Sequence, residues 1–323
     1  MKLTGKIVAA GLAIGGTLGA LALMNRLTVA QAGELQTVLT GEERRYPWKY
    51  GDVFYQVKGA REARPLVLIH SMAPGASSYE WRKNVDALSE QFRVYVIDLL
   101  GFGLSDRPAI DYTAETYIDL IGDFLKEVVG RPALVVANGL SGAYTVLCAY
   151  RRPQLFEKLI LVAPPLSMLK EERPGIVHSL LRSVLRLPIV GESIYNVLTS
   201  RRAIQHYYDS QGYHNPGLIT DQLVEHLFSS AHQANSHYPF KALLSKELTL
   251  DVHQALARLR TPVAAIWGRE QEQAPDEVSE AYKKAAPSTE TRILERSSLQ
   301  LQDEQPIKFT ALVQELATAS VTQ

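Results

Sequence analysis

Short apolar runs alternate with longer amphipathic segments along most of the chain. Short continuous apolar runs are typical of strands that are buried on both faces of a parallel sheet. Two earlier segments, 36–39 and 53–57, predict an antiparallel lead-in to the same sheet. The predicted buried strands cover residues 66–69, 94–97, 134–137, 159–162, 263–267 and 292–294.

The segments between these runs carry the periodicity of amphipathic helices. Residues 79–90, 114–129 and 140–150 are predicted helices. In the second of them the apolar side chains share one face, namely Ile118, Ile121, Leu125 and Val128. Strand–helix alternation of this kind predicts an α/β fold with a mostly parallel sheet and helices on both faces.

One long segment, residues 166–250, departs from this alternation. Its pattern is helical, and Pro188, Gly191, Pro216 and Pro239 punctuate it. Ligands in open α/β sheets bind at the carboxyl edge, and a helical insertion between two strands would lie over that edge. We therefore predict a helical cap here. A helical side domain with no role at the site is the alternative.

The N-terminal segment, residues 1–32, is predicted to be a membrane anchor or a signal segment. Its uncharged run, residues 7–24, would measure about 27 Å as a helix, against a hydrocarbon core of about 30 Å. The prediction is a single-pass anchor, with the membrane as a partner through residues 7–24. The alternative is export after signal cleavage near Ala32. Basic residues on both flanks leave the side of the membrane open.

The rest of the chain is predicted to form one core in two parts, 33–165 and 251–323, around the cap. Lys plus Arg and Asp plus Glu number 34 each, so the neutral chain offers no electrostatic footprint for nucleic acid. Cys148 is the single cysteine, which excludes an intrachain disulfide. No zinc-ligand spacing or phosphate-binding loop occurs, so we predict no metal and no cofactor.

Several motifs resemble the α/β-hydrolase fold family, and in particular its capped epoxide hydrolase, haloalkane dehalogenase and esterase-like members. The most specific is DLLGFGLSDRP at 98–108, which resembles the family's Asp-x-x-Gly-x-Gly-x-Ser-x-x-Pro turn. LIHS at 68–71 resembles its strand-end oxyanion segment, with Ser71 where glycine is usual. IWG at 266–268 and DEQP at 303–306 resemble the stretches beside the triad acid and the triad histidine. The resemblance implies the fold.

The same resemblance places the catalytic triad of the family on residues that cannot perform its chemistry. In the family's elbow, Gly-x-Ser-x-Gly, the nucleophile position falls on Gly139, between Ala137 and Ser141. A competing register reads Gly-x-Ser-x-Ala and makes Ser141 the nucleophile. Glycine has no attacking atom, but it adopts the strained elbow conformation readily.

The base and the acid are missing in the same way. None of the eight histidines follows the strand predicted at 263–267, and the position implied for the triad histidine is Leu299. The position implied for the acid is Gln271, and an acid that orients a histidine has no purpose without it. The triad is therefore predicted to be degenerate at Gly139, Gln271 and Leu299.

What remains is the architecture of a pocket. The predicted ligand pocket comprises His70, Ser71, Met72, Asn138, Gly139 and Leu140. Backbone amides of Leu140, Ser71 and Met72 are candidates to bind a carbonyl oxygen or an anion. The leading hypothesis is a membrane-anchored, non-catalytic α/β-hydrolase homologue that binds a small apolar ligand or a protein partner. The alternative is a divergent hydrolase or cofactor-free lyase that uses non-standard residues, such as Ser141 with a histidine of the cap.

Overall fold

A computed structural model describes the backbone of residues 2–170 and 175–318, and the side chains of residues 15–170, 175 and 180–318. It contains an eight-stranded sheet in the order β1-β2-β4-β3-β5-β6-β7-β8. The pairs β1–β2 and β2–β4 are antiparallel, and all other pairs are parallel. The predicted α/β fold is confirmed. The strands are β1 (Glu42–Trp48), β2 (Gly51–Lys58), β3 (Arg64–Ile69), β4 (Phe92–Ile97), β5 (Ala133–Asn138), β6 (Phe156–Val162), β7 (Val263–Gly268) and β8 (Glu290–Leu294).

Helices cover both faces of the sheet and form two buried apolar clusters, one on each side. The central strands β3, β5, β6 and β7 are apolar along most of their length, as strands buried on both faces must be. The helices are α1 (Lys2–Ala32), α2 (Val85–Ser89), α3 (Ala114–Phe124), α4 (Ser141–Arg151), α5 (Ile176–Leu185), α6 (Pro188–Leu198), α7 (Arg201–Tyr207), α8 (Asp221–Ala231), α9 (His237–Leu244), α10 (His253–Ala257), α11 (Pro275–Ala285), α12 (Leu301–Glu304) and α13 (Pro306–Thr318).

Two local predictions need correction. Residues 36–39 form no strand; the first strand is β1, whose mostly exposed charged residues suit the edge of a sheet. The helix predicted at 79–90 is split into a 3₁₀ turn (Ser78–Trp81) and the short α2. The split leaves Glu80 buried against the strand ends instead of exposed on a helix surface.

The single-pass anchor predicted for residues 7–24 is wrong. Among the residues described, no helix combines the length and hydropathy that crossing a membrane requires. The described part of α1 instead packs against the cap helix α6. Asn25 is 4% exposed there; its Nδ2 donates to the Ile189 carbonyl, and its Oδ1 accepts from Ser193 and Asn196. A polar side chain with three partners on a neighbouring helix fits a protein interface.

Helices α5 to α9 lie between β6 and β7, in the segment predicted as the cap, and α10 follows that segment before β7. Side chains from α6, α7 and α9 share one cavity with the strand-end loops of the sheet. The cap segment therefore covers the carboxyl edge of the sheet. Its boundaries at residues 166 and 250 stay a prediction.

Candidate ligand-binding site

The elbow after β5 is built around Gly139. This residue has φ +57°, a left-handed conformation that side chains other than glycine adopt at a cost. Its N–H donates to the Val162 carbonyl at 2.8 Å, and its own carbonyl accepts from Gly142 N–H at the start of α4. A side chain at Gly139 would meet only the Cβ of Ser71, at 3.7 Å. The turn after β5 thus has strand–turn–helix geometry, with Gly139 at its tip and space there for a side chain.

Ser141 lies in the first turn of α4 and points away from the cavity. It is fully buried, and its hydroxyl donates to the His70 carbonyl at 2.6 Å. Its own carbonyl accepts from the Thr145 hydroxyl at 2.8 Å. No histidine nitrogen accepts from Ser141 in the described chain, so the serine fixes the loop after β3 against α4.

His70 is likewise a structural residue. It is completely buried, and Nε2 accepts from the Leu99 N–H at 2.9 Å. Nδ1 lies 2.6 Å from the Ser71 carbonyl, to which it donates as the protonated ring nitrogen of this tautomer. Both ring nitrogens are therefore occupied. His70 does not line the cavity, in contrast to the other five residues of the predicted pocket.

The residues predicted at the two other triad positions lie on neighbouring loops. Leu299 follows β8 and lines the cavity beside Gly139. Gln271 follows β7 and donates to the carbonyl of Ser298, next to Leu299, at 3.5 Å. The nearby Glu270 is no substitute acid, because it accepts from the backbone N–H groups of the loop before Leu299. At the position predicted for the base, the cavity is therefore lined by an apolar side chain.

Glu80 is the main polar residue that the sequence pattern does not reveal. It is 6% exposed, and its Oε2 accepts from Ser71 N–H and from Asn138 Nδ2, both at 2.9 Å. Its Oε1 accepts from the Ser71 hydroxyl at 2.5 Å. The carboxylate thus joins the loop after β3 to the end of β5. In the sequence, a charged residue within an amphipathic pattern is expected on the exposed face of a helix, so the pattern did not predict this role for Glu80.

These contacts decide which backbone amides remain available. The Ser71 amide is committed to Glu80. The amides of Met72 and Leu140 have no acceptor among the described residues, and both residues line the cavity. Two free N–H groups at this edge are the donors that the family's resemblance predicts for a carbonyl oxygen, with Ser71 excluded from the set.

The cavity between the sheet edge and the cap has a volume of about 460 Å³. Most of its wall is aliphatic or aromatic, and its polar groups are concentrated at the strand ends. Two cap tyrosines, Tyr207 and Tyr208, line it, whereas Tyr195 and Tyr213 are buried elsewhere in the cap. The lining residues are Ser71, Met72, Ala73, Pro74, Asn138, Gly139, Leu140, Ala163, Leu198, Ala203, Ile204, Tyr207, Tyr208, Phe240, Leu243, Leu244, Leu299 and Gln300.

A charged network beside the cavity ties the cap to the core. Asp303 is 2% exposed and lies 2.7 Å from Arg82 and 2.6 Å from Lys83. Its carboxylate also accepts from the hydroxyl of Tyr213 in the cap. Burial alone would raise the pKa of Asp303, but the positive charge of Arg82 and the hydrogen bonds from Lys83 and Tyr213 hold it below its usual value.

The cap contributes an uncharged histidine to the same boundary. The ring of His226 stacks on Tyr79 with centroids 3.7 Å apart. Burial, helped by the positive charge of Arg82, lowers the pKa of His226 to about 4. No histidine lines the cavity in the part of the chain that the structure describes. The site therefore offers a binding surface but no base of the family's type.

The comparisons with known proteins agree with this architecture. The model of the alpha/beta hydrolase family matches residues 66–311, which is most of the chain. The chain belongs to the alpha/beta hydrolase family. An epoxide hydrolase structure, CorEH, superposes with a TM-score of 0.71 at 18% identity, over 85% of this chain and 98% of that chain. At that identity the likeness shows the fold alone.

Curated relatives of this hydrolase homologue include proteins of unassigned activity. An uncharacterized hydrolase of Bacillus subtilis, YugF, is 21% identical over 276 residues, which are 81% of this chain and 93% of that protein. An uncharacterized protein of Mycobacterium tuberculosis is 33% identical over 109 residues, which are 34% of this chain and 31% of that protein. The match spans only about a third of the mycobacterial relative. Family membership establishes the fold, and the activity must be argued from the site.

Proposed function

We propose that this alpha/beta hydrolase homologue is a non-catalytic protein that binds a small apolar ligand in the cavity beneath its cap. One observation carries the proposal: the cavity of about 460 Å³ has an apolar wall and free amides, and it is lined by Gly139 and Leu299, the residues predicted at the positions of nucleophile and base. A cavity of this volume lies within the range of small-molecule sites. Nucleophilic catalysis of the family's type needs a nucleophile at the elbow beside a histidine base, and Gly139 and Leu299 supply neither group.

A cavity-filling substitution tests the proposal. Leu244→Trp places an indole in the cavity, so it should abolish binding of a neutral environment-sensitive dye such as Nile red. Val197→Trp is the matched control, because Val197 is 69% exposed and outside the cavity. Dye fluorescence titrations of both variants, with circular dichroism to confirm folding, give the result. Equal dye binding by both variants would contradict the proposal.

Native purification followed by mass spectrometry examines the same proposal without an added probe. An apolar small molecule should be carried by the wild-type protein and by Val197→Trp, and be lost from Leu244→Trp. Ester substrates should show neither a burst nor turnover above background. Turnover by wild-type protein that Leu244→Trp abolishes would establish an enzyme and overturn the non-catalytic part of the proposal.

A further inference from the structure

The polar end of the cavity contains a carboxylate, that of Glu80, without an ion-pair partner among the described residues. Glu80 has three hydrogen-bond donors, from Ser71 and Asn138, and all of them are neutral. Among the described residues no Lys, Arg or His forms an ion pair with Glu80. The nearest cation in sequence, Arg82, is committed to Asp303 at 2.7 Å. The carboxylate is hydrogen-bonded but not neutralised.

This charge reaches the cavity through Ser71. The Ser71 hydroxyl lines the cavity and lies 2.5 Å from Glu80 Oε1. Across the cavity, burial raises the pKa of Tyr208, and the negative charge of Glu80 raises it further. The pKa of Tyr207 is raised by the same two causes in the same order. Electrostatic effects of this kind are strong where little water separates the charges.

The same end of the cavity offers donors for an oxygen atom. The free amides of Met72 and Leu140 need an acceptor, and both residues line the cavity together with Ser71 and Asn138. A carboxylate could accept from these amides, but its charge would lie close to that of Glu80. A hydroxyl or carbonyl oxygen accepts from the same amides without a net charge.

We propose that the site selects neutral amphiphiles and rejects carboxylates, an inference that rests on the proposed function. Such a ligand has an apolar chain and a hydroxyl, ester or ketone oxygen at the Met72–Leu140 end. Glu80 is the residue that determines this selectivity. Like charges brought together at a binding site weaken binding unless a cation intervenes.

Competition against Nile red with decanol, methyl decanoate and decanoate tests the selectivity. The three probes share one chain length, and the last two differ mainly in the charge at the end. On wild-type protein at neutral pH, both neutral probes should bind at least about tenfold more tightly than decanoate. Decanoate binding as tightly as decanol would overturn the inference, and failure of every probe and of the dye would instead remove the proposed function.

Glu80→Gln then isolates the charge. The amide oxygen of glutamine can still accept from Ser71 N–H and Asn138. The amide NH₂ that replaces the other oxygen can donate to the Ser71 hydroxyl. The variant should bind decanoate about tenfold more tightly than wild type and bind decanol unchanged. Glu62→Gln, at an exposed carboxylate, should reproduce the wild-type pattern. Unchanged selectivity in a folded Glu80→Gln would contradict the role of Glu80, and the wild-type series decides the selectivity if the variant does not fold.

Discussion

At the scale of single residues, the main feature is that Gly139 combines an open site with a strained backbone. A serine side chain fits there sterically, since its Cβ would have one neighbour at an ordinary contact distance. At φ +57° a non-glycine residue costs about 1–3 kcal/mol. Steric space therefore does not explain the missing nucleophile, and replacing it would lower stability without supplying a base.

Gly139→Ser should consequently remain inactive toward p-nitrophenyl esters, because Leu299 provides no nitrogen to accept the serine proton. The free energy of unfolding should fall by about 1–3 kcal/mol. Gly139→Ala is the control, since it carries the same backbone strain without a hydroxyl. The measurements are burst kinetics and denaturant unfolding. Ester turnover by the single serine variant, absent from the alanine variant, would reveal a base that the geometry does not show.

Restoring the whole triad gives a sharper version of the same test. The variant Gly139→Ser with Leu299→His and Gln271→Asp places a hydroxyl, an imidazole and a carboxylate on the neighbouring loops that follow β5, β8 and β7. Triad members act as a unit, so any turnover should require all three substitutions. A trace of ester hydrolysis in the triple variant and none in the doubles is the expected result.

At the scale of secondary-structure elements, α1 packs against the cap and stabilises it. Asn25 makes three hydrogen bonds to α6, and Ala32 is buried in the cluster that includes Tyr79 and Tyr208. The Ser229 hydroxyl of α8 also donates to the Ala32 carbonyl at 2.7 Å. Removing α1 would expose parts of α6 and α8, so the described part of α1 around Asn25 and Ala32 contributes to the folded unit.

Asn25→Leu should therefore loosen the cap. The substitution removes the three hydrogen bonds between Asn25 and α6, at a cost of about 1–3 kcal/mol, although the Ser193 hydroxyl still donates to the Ile189 carbonyl. Hydrogen exchange of the α6 amides should become faster, while the sheet amides are unchanged. Leu27→Asn is a control at a position that is 53% exposed. If the α6 amides exchange at the wild-type rate in Asn25→Leu, the contacts of Asn25 do not stabilise the cap.

At the scale of the whole molecule, the boundary between cap and core contains two groups that titrate in different pH windows. The folded state depresses the pKa of His226 from 6.5 to about 4. Between pH 6.5 and 4 the unfolded chain therefore binds more protons at this histidine than the folded protein does. The contribution of His226 to stability is full above pH 6.5 and is lost as the pH falls toward 4. Asp303 has a lowered pKa, so its contribution is lost only at lower pH, from below its usual value of 3.8.

The free energy of unfolding should thus decline between pH 6.5 and 4, with at most about 3 kcal/mol of the decline due to His226. His226→Phe keeps a ring against Tyr79 and removes the titration, so it should flatten this part of the profile. A residual slope is expected from His237, whose pKa burial also lowers to about 4. The measurement is urea unfolding as a function of pH, with the exposed His206→Phe as control. An unchanged slope in His226→Phe would contradict the assignment.

The sequence alone determined the α/β fold and the family, and it predicted the residues at the triad positions. These properties depend on local patterns: apolar runs for buried strands, glycines for the tight turn of residues 98–108, and the absence of histidine after β7. Such signals lie within a few residues of each other or in a simple count, so the pattern is sufficient to read them.

Only the tertiary structure decided how the site is composed. Glu80 and Ser71 are nine residues apart, and the split of the predicted helix is what turns the carboxylate toward the strand ends. His70 and Ser141 fill the interior instead of the cavity because each satisfies a backbone group of a distant segment. The position of α1 against the cap likewise depends on contacts between residues about 165 apart in sequence, from Asn25 to α6. Partners so remote in sequence are selected by packing, which no local pattern encodes.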